Sequence, residues 1–96
     1  MPAPVKVTID FGASPGVSGE QKFTVSDASF AGMTFVEGFF MGTDSTTDND
    51  ATSHQMAAKL INVVCDAPSG TNVGVTCQIE DGAQVWGTFK LNIADV

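Results

Sequence analysis

The residues with the most chemical potential in this sequence lie in one polar loop. Residues 44–50 read Asp-Ser-Thr-Thr-Asp-Asn-Asp, and the only histidine, His54, follows shortly after. Calcium prefers several carboxylate and carbonyl oxygens on one short loop, so Asp44, Asp48 and Asp50 are candidate ligands. The spacing lacks the central glycine and the distal glutamate of an EF-hand loop. We therefore favour a solvated loop in which Asp48 or Asp50 caps a helix, with a divalent-cation site at a subunit interface as the alternative.

A catalytic role for His54 would require a nucleophile and an orienting acid close to it in space. Ser45 and Ser53 flank the histidine, but neighbouring residues of a helix point in different directions. We expect His54 to be a surface residue in the first turn of a helix. The sequence predicts no catalytic residue, no bound metal or cofactor, and no enzymatic activity.

The two cysteines allow two interpretations of residues 53–82. In the first, this stretch is a long hairpin whose Cys65 and Cys77 are bridged across the turn. In the second, a helix ends near Cys65 and a strand carries Cys77 inward, so both behave as small buried hydrophobes. Their spacing matches neither a metal site nor a redox motif. Because the N-terminus lacks the layout of a signal peptide, we favour the second interpretation, with free thiols.

Four aromatic residues lack an obvious core position: Phe30, Phe39, Phe40 and Trp86. Trp86 falls on the polar face of its predicted strand, opposite Val85. Aromatic residues are enriched at the energetic centres of interfaces, so the surplus predicts a contact surface of a homo-oligomer. The alternative is that these rings fill the second face of a sheet.

The charge composition argues against several classes of partner. The chain carries eleven acidic residues, four lysines and no arginine, which gives a formal net charge of −7. The lysines are dispersed, so direct binding of nucleic acid, phosphorylated metabolites or an anionic membrane is not expected. With 43% hydrophobic residues and no apolar run of transmembrane length, the chain predicts one globular domain over residues 1–96. Residues 1–4 are predicted to form an N-terminal arm or a frayed end.

Hydrophobic patterning predicts an α+β fold, a small antiparallel sheet or sandwich of order β-β-β-α-β-β. Alternation predicts strands at residues 5–11, 22–26, 73–80 and 83–93. A third strand, at residues 33–41, is predicted because this run is aromatic-rich and apolar on both faces, which indicates a central strand. Gly38 within it indicates a bulge or a close backbone approach. Between them, residues 51–64 change to helical periodicity.

The turn between the last two predicted strands determines their register. A two-residue loop would put the apolar side chains of the two strands on opposite faces. A three-residue loop at residues 80–82, with Gly82 in the left-handed conformation, pairs Cys77 with Val85 and Val73 with Phe89. We therefore expect a hairpin with a three-residue loop.

Residues 42–93 resemble a known structural unit. A polar Thr/Asp-rich loop leads into a helix with small residues, and an alternating hairpin follows. This order is similar to the strand–loop–helix–hairpin unit of bacteriophage tail and other virion proteins and of flagellin-type filament proteins. The matching positions are Thr52, Ala57, Ala58, Ile61, Val75, Thr76, Gly82 and Val85. Cys77 and the longer loop at residues 66–72 depart from the pattern.

The resemblance implies a structural role in a particle, because the unit in those proteins joins subunits or lies on the outside of an assembly. We therefore expect a non-enzymatic capsid decoration or tail protein that forms homo-oligomers and contacts other particle proteins. Such a protein would be assembled in the host cytoplasm and located in the virion. The alternative function is a small module that binds sugar or calcium through Trp86 and the loop at residues 44–50.

Overall fold

The computed structural model describes residues 4–96, which form two three-stranded antiparallel sheets with one α-helix. In chain order the elements are β1 (Val5–Asp10), β2 (Glu20–Ser26), a 3-10 helix (Ala28–Gly32), β3 (Val36–Phe39), α1 (Ala51–Leu60), β4 (Ile61–Cys65), β5 (Asn72–Ile79) and β6 (Thr88–Asp95). The first sheet has the order β1–β6–β3, and the second sheet has the order β2–β5–β4. The predicted α+β class is confirmed. Of the predicted arm at residues 1–4, only Pro4 lies within the described residues.

The two central strands supply the middle of the core. Alternate side chains of β5 and β6 are almost completely buried in one hydrophobic cluster: Val73, Val75, Cys77, Ile79, Phe89, Leu91 and Ile93. Burying a large aliphatic or aromatic side chain contributes roughly 1.5–3 kcal/mol to stability. Because this cluster draws on both sheets, its burial holds the two sheets against each other.

The predicted alternation of the first strand is confirmed by its pairing. In β1, Ile9 is buried and Val7 half-buried, while Lys6 and Thr8 are exposed. Val7 lies opposite Leu91 of β6, so the apolar side chains of the two strands share the inner face. The outer face of the first sheet is therefore polar along β1.

The helix is shorter than predicted, because residues 61–65 form β4 instead of its last turn. The backbone changes at Ile61, which has φ −120° and ψ 120°, while its N–H still donates to the Ala57 carbonyl. Ile61, Val63 and Val64 are β-branched and favour extended backbone. β4 then pairs with β5 in the register Ile61 with Ile79. The helix therefore ends at Leu60, although the helical pattern of apolar residues continues beyond it.

The predicted pairing of the last two strands is wrong. The turn itself forms, since the Ala83 N–H donates to the Glu80 carbonyl at 3.1 Å and Gly82 has φ +85°. Beyond it the chain crosses to the other sheet, so Cys77 does not pair with Val85. Both edges of β5 are already occupied, by β2 and by β4. The resulting hairpin is β4–β5, in which Cys65 lies opposite Val75 and Cys77 opposite Val63.

The third predicted strand is an edge strand and not a central one. β3 pairs with β6 alone within its sheet, and its second side faces β4. A Cβ atom at Gly38 would lie 2.9 Å from Val63 Cγ1 and 3.0 Å from Cys65 Sγ. The predicted close backbone approach at Gly38 is thus confirmed, and it closes one side of the sandwich.

α1 has ten residues, and no helix within residues 4–96 has the length and apolarity to cross a bilayer.

Candidate functional site

The polar segment at residues 46–54 completes the edge of β6 where β3 has ended. Asn49 Nδ2 donates to the carbonyl oxygens of Trp86 at 3.0 Å and Thr88 at 2.8 Å. Asp48 Oδ2 accepts from the Thr88 N–H at 2.9 Å, and the Lys90 N–H donates to His54 Nε2 at 2.9 Å. Unpaired backbone groups on a sheet edge carry a large desolvation cost when they are covered. These side chains therefore take the place of a neighbouring strand.

His54 is fully buried, so its predicted surface position is wrong. Its ring centroid lies 5.0 Å from that of Phe89, and Nδ1 lies 2.9 Å from the carbonyl oxygen of Asp50. A carbonyl only accepts and the Lys90 N–H only donates, which selects the neutral tautomer with the proton on Nδ1. Nε2 therefore holds α1 against β6, while Nδ1 bonds to the N-cap residue of α1 itself, so both ring nitrogens are engaged in hydrogen bonds.

Asp44 belongs to a buried polar group on the outer face of the first sheet. It pairs with the Lys6 ammonium and accepts from Asn92 Nδ2 at 2.9 Å. The hydrogen bonds from Lys6 and Asn92 hold the pKa of the Asp44 carboxyl below its usual value, against the opposing effect of burial. Asn92 is itself fully buried, and its Oδ1 has no hydrogen-bond partner within residues 4–96. This arrangement anchors the loop on the sheet.

Asp50 is the N-cap of α1, one of the two positions expected from the sequence. Its side chain accepts from the Ser53 N–H at 2.9 Å, and this hydrogen bond lowers the pKa of the Asp50 carboxyl. Asp44, Asp48 and Asp50, the three candidate metal ligands, thus each make hydrogen bonds that stabilise the fold. Within residues 4–96, no three His, Cys, Asp or Glu side chains form a group able to hold a metal ion.

An exposed apolar stripe runs along β3. Residues 35–41 alternate between exposed and more buried positions. Phe35, Phe39 and Met41 lie on the exposed side, with the charged Glu37 between the two phenylalanines. Alternate residues of an extended chain share one face, so these three side chains line up together. Phe35 is 64% exposed, and its carbonyl accepts from the N–H of Val96, which is also exposed. We call Phe35, Phe39, Met41 and Val96 the β3 stripe.

The β3 stripe changes the predicted interface. Phe30 and Phe40 are buried in the core, so the expectation that they form a contact surface is wrong. Phe39 and Trp86 are exposed, at 38% and 42%, and their proposed contact role stays a prediction. Phe35 was missed, although its sequence position has the same parity as Phe39.

The second exposed feature is a cavity of about 160 Å³ beside Trp86. One wall is α1, which contributes Ser53, Met56, Ala57 and Leu60, and the other wall is residues 84–86. Phe89 and Asn49 complete the lining. Two of its lining residues, Met56 and Trp86, are exposed to solvent.

Comparison with known proteins gives no match to a family model, to a curated protein or to a solved structure.

Proposed function

We propose that this chain is a non-enzymatic structural protein of a phage-type particle, a capsid decoration or tail component that acts through contacts between its own copies. The observation that carries the proposal is the β3 stripe. Exposed apolar patches with polar surroundings mark sites of protein–protein contact. The sequence resemblance of residues 42–93 to virion modules supports the assignment to a particle, located in the virion and in contact with other particle proteins. The likeness is one of sequence pattern, because β5 and β6 do not form the hairpin of that unit.

The use of the polar loop supports a non-enzymatic role. His54, Asp44 and Asp48 have the side chains best suited to acid–base or metal chemistry in this segment, and each is engaged in hydrogen bonds that build the fold. A catalytic histidine needs a ring nitrogen that reaches the substrate. His54 offers none while α1 remains packed on β6.

Charge makes the proposed self-association sensitive to salt in a definite direction. Two copies with a formal net charge of −7 each repel one another, and Glu37 lies on the same exposed face as Phe35 and Phe39. Added salt screens this repulsion, while the burial of apolar side chains persists. Association through the β3 stripe should therefore strengthen between low and physiological ionic strength.

Light scattering after size-exclusion chromatography tests the proposal. We expect the wild-type chain to form a discrete oligomer and the double variant Phe35→Ser/Phe39→Ser to be monomeric at the same concentration. Val64→Ser is the matched control, because Val64 is 56% exposed on β4 and lies outside the stripe. A wild-type chain that is monomeric at every concentration and salt level, and that does not bind particles, would contradict the proposal.

A further inference from the structure

The cavity beside Trp86 combines an apolar floor with polar groups that have no partner. Ala57, Val85 and Phe89 are buried beneath it, while Trp86 and Met56 stand at its rim. A concave site with an apolar lining and a few convergent polar groups is the usual form of a small-molecule site. The chemistry of the lining then limits the ligand.

Three polar side chains around this cavity have unused hydrogen-bonding capacity. Asn49 Nδ2 donates to the carbonyl oxygens of Trp86 and Thr88. The Oδ1 atom of Asn49 accepts no hydrogen bond from any residue within 4–96. The hydroxyl of Ser53 and the side-chain amide of Gln84 likewise make no hydrogen bond to any described residue. Together they offer both donors and acceptors to one bound molecule.

No charged side chain lines the cavity, and the whole chain carries a net charge of −7. An anion would therefore meet a repulsive field with no Lys or Arg to pair with it. A cation would find no carboxylate among the lining residues. The preferred ligand is uncharged.

A purely apolar ligand also fits poorly. It would cover the Asn49, Ser53 and Gln84 groups without replacing their hydrogen bonds to water, and each polar group left unpaired in this way weakens binding. The volume of about 160 Å³ is well below the roughly 300–1,000 Å³ of pockets that hold drug-sized molecules, so only one ring is accommodated.

We propose that this cavity binds one neutral pyranose ring, either as a free sugar or as the terminal residue of a glycan. The apolar C–H face of the ring packs on the Trp86 indole, and its hydroxyls, which both donate and accept, pair with Asn49 Oδ1, Ser53 Oγ and the Gln84 amide. The cavity shares no lining residue with the β3 stripe, so sugar binding does not require self-association through that stripe.

The chain provides its own reporter for this test. It contains one tryptophan and no tyrosine, so fluorescence excited at the indole band reports on Trp86 alone. Titration with neutral methyl pyranosides should give a saturable change in emission for at least one stereoisomer. Glucuronate as a charged ring and glycerol as an open polyol should give none. Titration with an oligosaccharide that ends in the same sugar distinguishes a glycan end, bound more tightly, from a free sugar.

Variants followed by amide chemical shifts locate the binding. Gln84 is exposed, so its replacement should not disturb the fold. We expect Gln84→Ala to weaken sugar binding roughly 2- to 10-fold, as expected for the loss of one neutral hydrogen bond. Trp86→Ala should abolish it, whereas Phe39→Ala, which removes an aromatic ring of similar exposure outside the cavity, should leave it unchanged. Thermal unfolding of each variant confirms that it is folded.

The proposal is overturned if no neutral pyranoside gives a saturable response, or if glycerol and glucuronate give the same response. It is also overturned if Trp86→Ala alters only the oligomeric state, because the cavity would then hold a side chain of a partner. Loss of oligomers in the Phe35→Ser/Phe39→Ser variant with sugar binding intact would show that the two surfaces act separately.

Discussion

Among single residues, His54 has a structural role that its polar sequence neighbours do not indicate. The ring is fully buried, contacts Phe89, and accepts from the Lys90 N–H of β6. Replacement by phenylalanine would retain much of the packing and leave this N–H without an acceptor. We expect His54→Phe to lower the free energy of unfolding by about 1–3 kcal/mol, the cost of a buried unpaired donor.

Urea denaturation measures this loss. Lys59→Ala, an exposed change on the same helix, is the control and should stay within about 0.5 kcal/mol of wild type. A His54→Phe chain as stable as the control would disprove the hydrogen-bonding role, as would a proton found on Nε2 by ¹⁵N NMR.

The sequence could predict the cap at Asp50 and could not predict the place of His54. A cap depends on local spacing, because the carboxylate bonds an N–H three residues later. The burial of His54 depends on the exposed edge of β6, 36 residues further along the chain. Helical spacing does put His54 on the face of Ala57 and Ile61, at i, i+3 and i+7, so the sequence contained a signal for its burial but none for its partner on β6.

At the scale of elements, the junction between β3 and β4 depends on the absence of a side chain at residue 38. A Cβ at this position would lie 2.9 Å from Val63 Cγ1 and 3.0 Å from Cys65 Sγ, closer than normal contacts. We expect Gly38→Ala to force the two strands apart and to destabilise the protein by about 1–3 kcal/mol.

Gly32→Ala is the matched control for this change. A Cβ at Gly32 would meet nothing within 4 Å, and Gly32 does not have a positive φ. Thermal unfolding of the two variants side by side should show a lower Tm for Gly38→Ala alone. Equal melting temperatures would mean that the junction is loose in solution.

The elements themselves were easier to predict than their partners. Alternation located β1, β2 and β5 to within two residues, because alternate side chains of each strand face the core. β6 begins at Thr88 and not at residue 83, and its second face is also partly buried, at Asn92. The end of α1 was missed because Leu60, Ile61 and Val64 fit a helical row and a short strand equally well. The partner of β5 was missed because a turn with correct local geometry does not require the strands beyond it to pair.

For the whole molecule, the reactivity of the two buried thiols reports how often the two sheets separate. Desolvation raises the pKa of Cys65 to about 11, assisted by the carboxylates of Asp66 and Glu37. Desolvation likewise raises the pKa of Cys77 to about 11, with Cys65 as a second cause. Both thiols are free in the structure, as favoured from the sequence, but Cys65 lies half-buried in β4 and does not end the helix as expected.

We expect the native protein at pH 8 to react with a thiol reagent at least about 100-fold more slowly than the unfolded chain, since a pKa of about 11 in place of about 9 lowers the thiolate fraction by that factor. Absorbance of the released chromophore in buffer and in urea measures both rates. Single Cys65→Ala and Cys77→Ala variants assign the signal to one thiol. Rates that agree within a few-fold would indicate that the sheets separate readily.

The same raised pKa values set a direction for stability at alkaline pH. Unfolded thiols ionise above about pH 9, while the folded ones remain protonated until about pH 11. Their contribution to stability is therefore complete below pH 9 and decreases as pH rises from 9 to 11.

The order of the strands along the chain has a consequence for how the protein is synthesised. β6 is the centre of the first sheet and the last strand of the sequence, whereas all three strands of the second sheet precede residue 80. A nascent chain that ends at residue 80 therefore already contains a complete β2–β5–β4 sheet, with β1 and β3 present and nothing between them. Until β6 has been synthesised, the apolar faces of β1 and β3 have no strand between them to cover them. In that interval chaperones or neighbouring chains can bind these exposed faces.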